Sequence, residues 1–408
     1  MTSHRPAVLK FGGSSLATAE LRGVAAGRVE EALAAGYAPV AVVSAMGRAP
    51  EPYATDTLLA LLADAGGTRN ADALLACGEL ISAAVFAAAL CARGFDAVAL
   101  AGAQAGVVTD AAFGNATVLR VEPAALLAVL DGGGVPVVAG FQGATEDGVV
   151  TTLGRGGTDL TAITLGHALG AERIDIYTDV SGAMTGDPRR IEGAHTIERA
   201  HLDEMTELAE HGAKIMHYKA AEFARRTQTP YAIKGLRSGV GTTVDDTVQQ
   251  ERPVTGVTAS GRVTWIRVIR GDIEDPKRRM ETELRMFARI AEGGISIDQV
   301  TINQAGVAFV VEGDRGAEIR QLLGDLNVAV RVREGCSKLS VVGSGMRYLP
   351  GVVHAIVAAL SEANVEIIHC TDSNITVSVL VPVADARRAE QVVHDRFHLD
   401  RIEQEVGS

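Results

Sequence analysis

Residues 151–189 read TTLGRGGTDLTAITLGHALGAERIDIYTDVSGAMTGDPR, and the local signals in this stretch decide the fold. A glycine-rich turn, Gly154-Arg155-Gly156-Gly157-Thr158-Asp159, opens a helical pattern with apolar residues at Leu160, Ile163, Leu165 and Leu169. Gly170 is a natural stop for that helix. The apolar run from Ile174 to Val180 predicts a strand that ends in the polar pair Thr178-Asp179, with Gly182 and Asp187-Pro188-Arg189 beyond. Turn, helix, strand and loop make half of an α/β unit. The turn suits an anion, because glycine lets backbone approach a ligand and first-turn N–H groups are free. Arg155 adds a planar fork able to grip a carboxylate through two bonds. The stretch has no Gly-x-x-x-x-Gly-Lys and lacks the third glycine of the dinucleotide fingerprint. Taken alone, the cluster is better explained as a tight turn capped by Thr158.

Working outward, similar units precede this stretch. Residues 7–11 predict a buried strand that runs into Gly12-Gly13-Ser14-Ser15 and a helix, the outline of a phosphate cradle. Lys10 in that strand reads either as a cation held over phosphates or as a lysine that snorkels to solvent. Pro39 to Ser44 predicts a second strand, ending at Ser44-Ala45-Met46-Gly47 before a polar insert, Arg48 to Asp56, that includes Thr55. A helix follows from Thr57, and a long alanine-rich helix opens around Leu74 to Ser82. Glu79 in this apolar setting is either a capping residue or a binder of an ammonium group. Ala97–Leu100 and Val135–Ala139 predict further strands, followed by glycine loops at 102–106 and 140–143. The alternation continues to about residue 245 and implies a doubly wound, mainly parallel sheet with helices on both faces. Ligands of such sheets bind at the strand ends, where the polar loops gather. Lys214 lies in a later helical stretch and reads equally as a surface lysine or a nucleotide contact.

The chain has 408 residues, 47% of them hydrophobic, and a net charge of −12. The acidic balance argues against a nucleic-acid partner and against global steering of anionic substrates, so an anion needs locally placed cations. No run of 18 uncharged apolar residues stands out as a membrane span. The N-terminus enters Val8-Leu9-Lys10 directly, so a cytoplasmic location is expected. Cys77, Cys91, Cys336 and Cys370 show no paired spacing and read as buried thiols rather than zinc ligands or disulfides.

After about Thr243 the character changes. A polar stretch around 245–253 reads as a linker. Two α+β modules of βαββαβ order follow. The first is expected to have strands at Val263–Ile269, Ser296–Ile302, Gly306–Val311 and Val328–Val332. The second is expected to have strands at Lys338–Val342, Val365–His369 and Asn374–Val381. The expected domains are therefore 1–245, 254–333 and 334–408. In the second module Gly343-Ser344-Gly345-Met346 leads into Pro350-Gly351-Val352 at a helix start, whose free N–H groups suit the carboxylate of an amino acid. Ile367 and Ile368 would supply the neighbouring wall.

Together these residues resemble an aspartokinase of the amino acid kinase superfamily. The resemblance rests on Lys10 to Ser15, Val43 to Gly47, Cys77-Gly78-Glu79, Ala103 to Gly106, Ala139 to Gly143, Gly154 to Asp159 and Tyr177 to Arg189, in order along nearly the whole chain. The two C-terminal modules are similar to ACT domains. The insert through Tyr53-Ala54-Thr55-Asp56 is most like the diaminopimelate-sensitive bacterial branch. The resemblance implies transfer of the ATP γ-phosphate to the β-carboxylate of L-aspartate, with Mg²⁺ held mainly by phosphate oxygens and no protein metal ligand assigned. It implies catalytic roles for Lys10 and Asp179 and a phosphate grip by Lys10, Gly12, Gly13 and Ser14. Tyr177, Thr178, Asp179, Met184, Arg189 and Lys214 would line the ATP site. Ser44, Thr55, Glu79, Arg155, Gly156, Gly157, Thr158 and Asp159 would hold the amino acid. It further implies feedback by lysine, threonine or meso-diaminopimelate, and a homodimer or higher homo-oligomer through the ACT-type modules. The chain departs from the family pattern at His217-Tyr218-Lys219, at Ile233-Lys234-Gly235-Leu236, at Ser181 and Gly186, and at Asp272 to Lys277, where the usual Asp-x-Pro-Gly turn is missing. A kinase of another small carboxylate and a non-catalytic amino-acid sensor are the alternatives.

Overall fold

The computed structural model describes residues 4–62, 67–213, 215–247, 253–269, 275–326 and 328–401. The chain forms two compact units, residues 1–184 with 196–249 and residues 185–195 with 250–408. The first domain expected from sequence, 1–245, is therefore interrupted: an eleven-residue segment inside it belongs to the second unit.

The first unit runs β1 (Pro6–Phe11), α1 (Ala19–Ala34), β2 (Ala38–Val43), α2 (Thr55–Ala60), α3 (Arg69–Cys91), β3 (Ala97–Leu100), β4 (Val107–Thr109), β5 (Val118–Val121) and α4 (Ala124–Asp131). It continues with β6 (Val135–Ala139), β7 (Gln142–Ala144), β8 (Val150–Thr152), α5 (Gly157–Ala168), β9 (Arg173–Thr178), β10 (Arg199–His201), α6 (Leu202–Glu210), α7 (Tyr218–Thr227), β11 (Tyr231–Gly235) and β12 (Gly241–Asp245). Eight of these strands form one sheet in the order β10-β12-β11-β9-β1-β2-β6-β3. Every pairing is parallel except β11 with β12, so the expected doubly wound, mainly parallel sheet is present.

Alternation along β1 explains the layers. Leu9 and Phe11 sit in a fully buried cluster with residues of α1 and α3 on one face. On the other face Gly166 lets α5 approach, since a Cβ there would lie 2.3 Å from Ile174 Cδ1. Burial on both faces is why parallel strands read as continuous apolar runs. Thr18 and Thr68 cap α1 and α3 through their hydroxyls. By length and composition α3 is apolar enough to cross a membrane, but it is a core helix here, packed on β3, β6 and β8.

A second, four-stranded sheet, β5-β4-β7-β8, was not legible, because its strands are only three or four residues long and β7 contains a glycine. Asp72 of α3 ties it down. This fully buried carboxylate accepts hydrogen bonds from the Thr152 N–H at 2.7 Å, the Thr152 hydroxyl at 2.9 Å and the Gly114 N–H at 3.0 Å.

The second unit runs β13 (Gly256–Ile269), α8 (Pro276–Glu292), β14 (Asp298–Asn303), β15 (Gly306–Glu312), α9 (Gly316–Leu322), β16 (Ala329–Val342), α10 (Val352–Glu362), β17 (His369–Asp372), β18 (Thr376–Pro382) and α11 (Ala386–Arg396). They form one sheet, β14-β15-β13-β16-β18-β17. The strands expected at Val328–Val332 and Lys338–Val342 are a single strand, β16, so the boundary expected at 333/334 falls inside it. The start of β13 pairs with the end of β16, Gly256 with Val342 and Ala259 with Leu339. The second module therefore takes a strand segment from residues 256–259, inside the bounds expected for the first. The strand expected from Val365 begins instead at His369, because the Val365 N–H closes α10 by donating to the Leu360 carbonyl at 2.8 Å.

Register shifts between Ala259 and Arg262 and between Val263 and Trp265 flip the alternation along β13 and β16. As a result both halves of the sheet turn one face to α8, α9, α10 and α11. The opposite face carries a separate cluster of Val263, Val310, Cys336 and Leu380 with Trp265 and Ile368.

Within this unit, segment 185–195 is clasped by α11. Arg190 Nε donates to the buried Glu390 at 2.6 Å, and the Thr185 hydroxyl lies 2.9 Å from Nε2 of the fully buried His394. Gln391 bonds both the N–H and the carbonyl of Glu192.

Removing the Asp72 carboxylate would leave the Thr152 and Gly114 donors buried without an acceptor. Asp72→Ala should cost roughly 3 kcal/mol or more in the stability of the first unit, read as a lowered urea midpoint. An unchanged midpoint would mean that other contacts carry this sheet.

Candidate active site

The C-terminal ends of β1, β2, β6 and β9 gather the polar loops. After β1 the chain turns at Gly12, where the Ser15 N–H donates to the Gly12 carbonyl at 3.0 Å. The loop after β2 lies against it, with the Gly47 N–H on the Gly13 carbonyl at 3.1 Å. A Cβ at Gly13 would lie 2.3 Å from the Ala45 carbonyl oxygen, so only glycine fits. The first glycine loop is thus held by backbone on one side and open on the other.

Lys10 does not snorkel away. Its Nζ lies 2.7 Å from Oδ1 of Asp159 in the first turn of α5, and both side chains are largely buried. Asp159 also sits where the helix dipole favours a negative charge. The pair brings both glycine loops into one site. Gly154 and Gly156 have φ of 74° and 73°, which glycine adopts without strain. Arg155 is exposed and has no ion-pair partner among the described residues. Thr158 packs under the β6 loop, where a Cβ on Gly140 would lie 2.5 Å from its Cγ2.

Glu79 is neither exposed nor a helix cap. It lies inside α3 and is buried, with Oε1 accepting from the Ala45 N–H at 3.1 Å and Oε2 without a partner among the described residues. Burial pushes its carboxyl up to about 8. A desolvated carboxyl with an open lone pair can receive a cation. Ser44 donates its N–H to the Phe11 carbonyl beside this loop, and Thr55 lies half-buried in the first turn of α2.

A second part of the site is a cavity of about 270 Å³ lined by Ser14, Ser15, Thr178, Asp179, Ser181 and the turn Gly235-Leu236-Arg237-Ser238. Asp179 is mostly exposed there, 3.8 Å from Arg48. In the sequence Gly235 and Leu236 stand out only as departures from the family pattern, and Arg237 and Ser238 carry no signal of their own. A strand running into Gly235 with Gly239 close behind was the signal available. Arg28 of α1 braces this wall, donating to the carbonyls of Leu236 at 2.9 Å and Arg237 at 2.7 Å.

Other expected positions fall elsewhere. Tyr177 is a core residue, stacked on Phe11 at 5.2 Å with its hydroxyl on the buried Asp175, so its side chain does not face the cavity. Met184 pairs with Thr196 at the edge of the first unit and is not among the cavity-lining residues. Arg189 lies in the segment that joins the second unit, with its guanidinium on Asp187. Lys214 lies outside the described residues. In the second unit Met346 and Val352 belong to the core under α10 and Ile367 packs against it, whereas Ile368 packs in the cluster on the opposite sheet face. The structure thus separates Ile368 from the loop it was expected to accompany.

The departure at His217 also has a place. Its ring packs on the second glycine loop, where a Cβ on Gly156 would lie 2.0 Å from His217 Cβ. Its Nδ1 accepts from the Lys219 N–H at the start of α7. Lys219 Nζ donates to the Leu153 carbonyl at 3.2 Å and to Asn115. Burial is the main cause holding the His217 imidazole below its ordinary pKa.

Residues 5–235 match the amino acid kinase family, and residues 339–397 match an ACT domain. Aspartokinase 1 of Bacillus subtilis (strain 168) is 40% identical over 405 residues, covering 97% of this chain and 99% of the relative. Among solved structures, E. coli aspartokinase III in complex with aspartate and ADP (R-state) superposes with a TM-score of 0.76 at 25% identity, covering 96% of this chain and 99% of that one. The same enzyme in complex with lysine and aspartate (T-state) gives 0.71 at 25% identity and the same coverage. The chain belongs to the amino acid kinase family and, within it, to the aspartokinases, enzymes that phosphorylate a carboxyl group.

Because the clash at Gly13 would be with backbone, Gly13→Ala should push the first glycine loop off the β2 loop. Kinase activity should fall by about 10²-fold or more while the circular dichroism spectrum is retained. Activity within a few fold of wild type would show that the close approach is dispensable.

Proposed function

We propose that this aspartokinase transfers the γ-phosphoryl group of ATP to the β-carboxylate of L-aspartate, giving 4-phospho-L-aspartate. The observation that carries this reading is the buried Glu79 carboxyl with one unpartnered oxygen, at the same strand ends as the Lys10 loop. It suits the α-ammonium of an amino acid. Arg155, exposed and unpaired among the described residues, suits a carboxylate gripped through two bonds. The E. coli structure with aspartate and ADP supports the choice of ligands.

The acceptor carboxylate, with a pKa of about 4, is already ionised at neutral pH and needs no general base. The difficulty is bringing one anion to another, so catalysis is positioning and charge neutralisation. Lys10 and the N–H groups of the Gly12-Gly13 loop would meet the transferred phosphoryl. The cavity between Ser14, Thr178, Asp179 and the 235–238 turn would take the rest of the nucleotide. Among the described residues no cluster of His, Cys, Asp or Glu could hold a metal by itself, and Mg²⁺ would enter with the ATP phosphates as MgATP.

Regulation is part of the same reading. We place the chain in the first step of the lysine, threonine and methionine pathway, in the cytoplasm, as a homodimer or higher oligomer. It would be inhibited by lysine, threonine or, as its sequence motifs favour, meso-diaminopimelate. The effector carboxylate would sit at the start of α10 around Gly345 and Gly351. The route to the active site would be the chain itself. The cavity wall Thr178–Ser181 continues directly into segment 185–195, which α11 clasps through Arg190, Thr185 and Glu192.

The activity is tested by trapping acyl phosphate with hydroxylamine across a panel of amino acids. Hydroxamate should form with L-aspartate and require ATP and Mg²⁺, and product with another acid alone would reassign the substrate. The Glu79 role has a pH signature. Below pH 8 the carboxyl is mostly protonated, so an ammonium must displace a proton to bind. The KM for aspartate should therefore fall by up to about tenfold per unit as pH rises toward 8 and level off above it. Glu79→Gln should raise KM and flatten this profile, and an unchanged profile would remove Glu79 from the amino-acid site. Arg190→Gln should weaken effector inhibition while leaving basal activity within a few fold. Full inhibition in that variant would exclude the clasp as the route.

A further inference from the structure

The six-stranded sheet of the second unit curls until its two edges meet. Thr301 Oγ1 of β14 lies 3.4 Å from His369 Nε2 of β17, and Lys338 of β16 reaches across the same face to Asp298 of β14. The face turned away from α8 to α11 is therefore concave, and at one end it encloses a cavity of about 270 Å³. This cavity is separate from the α10 loop and belongs to neither glycine loop of the first unit.

Its wall chemistry is one-sided. Arg267 is partly buried there and has no ion-pair or hydrogen-bond partner among the described residues. The indole N–H of Trp265 is buried and has no acceptor among the described residues. Asn303 and Thr301 add polar groups, Ile368 and the Trp265 ring add an apolar floor, and no Asp or Glu among the described residues lines the space. Burial holds His369 below its ordinary pKa, and Arg267 is the cationic group of this wall. Two unused donors, one of them cationic, beside an apolar floor define the complement of a carboxylate on a short hydrocarbon body. An unpaired buried donor is costly, and a ligand oxygen would satisfy it.

We propose that this concave face is a binding site for a small organic monocarboxylate, with its carboxylate on Arg267 and the Trp265 N–H and its apolar body against Trp265 and Ile368. The site calls for no ammonium group on the ligand, because its described lining residues include no Asp or Glu to pair with one. It stands apart from the catalytic reading and does not depend on it.

Trp265 is the single tryptophan of the chain, so its emission reports the site directly. The full-length protein is titrated with isocaproate at millimolar concentrations, with calorimetry in parallel, and with isocaproamide as the uncharged control. Isocaproate should give a saturable emission change and measurable heat, and the amide neither. Arg267→Met, checked by circular dichroism and by unchanged basal kinase activity, should bind isocaproate at least about tenfold more weakly, as expected for loss of a charge-assisted pair. Arg267→Lys should fall between the two. Equal binding of acid and amide, undiminished binding by Arg267→Met, or no signal from either method would each overturn the proposal.

Discussion

The ion pair between Lys10 and Asp159 is the contact on which the active-site half of the molecule depends. It joins the end of a central strand, β1, to the first turn of α5, and so holds two glycine loops that are far apart in sequence in one place. Both side chains are mostly out of water. Removing either would strand a charge, which costs more than the pair itself contributes. The backbone supports the same arrangement. Gly13 touches the β2 loop too closely for a side chain, Gly140 admits Thr158, and Gly156 admits His217. In the proposed mechanism, Asp159 holds the Lys10 side chain in place until an arriving phosphate competes for it.

The second constraint is topological. The chain leaves the first unit at Met184, spends residues 185–195 in the second, and returns at Thr196. This makes the wall of the cavity at Thr178–Ser181 and the segment held by α11 neighbours in the covalent chain. The clasp is buried and polar, with Glu390, His394 and Thr185 all nearly inaccessible. A polar contact of that kind is sensitive to small displacements, because half-satisfied buried groups are costly. The interlock of β13 and β16 has a similar effect within the second unit. Neither α+β module can be cut out without removing a strand from the other.

Much of this was legible before the structure. Continuous apolar runs at 7–11, 39–43 and 135–139 became parallel strands because both faces are buried. The glycine turns were readable because only glycine tolerates those backbone angles and approaches. Elements that depend on tertiary pairing were hidden. The strands of the small sheet are too short to show a period, and they persist because Asp72 anchors them from another element. The two register shifts reverse a strand's faces without any strong local signal. Tyr177 was misplaced because its motif neighbours, Thr178 and Asp179, do line the cavity, while its own ring points the other way into the core. Of the 235–238 wall, Gly235 and Leu236 were visible only as departures from the family pattern, together with Ile233 and Lys234, because the turn gains its place from the fold and not from a local motif. Lys234 in fact pairs with the buried Asp175 at 2.9 Å.

The account stands or falls on what Lys10 does. The direct measurement is steady-state kinetics of Lys10→Met in the hydroxylamine-trapping assay, with the variant's fold confirmed by circular dichroism. If Lys10 neutralises charge that develops on the transferred phosphoryl, kcat should fall by about 10²-fold or more while KM for aspartate changes little. A variant whose kcat stays within a few fold of wild type would contradict the account and leave the Lys10–Asp159 pair as a structural tie.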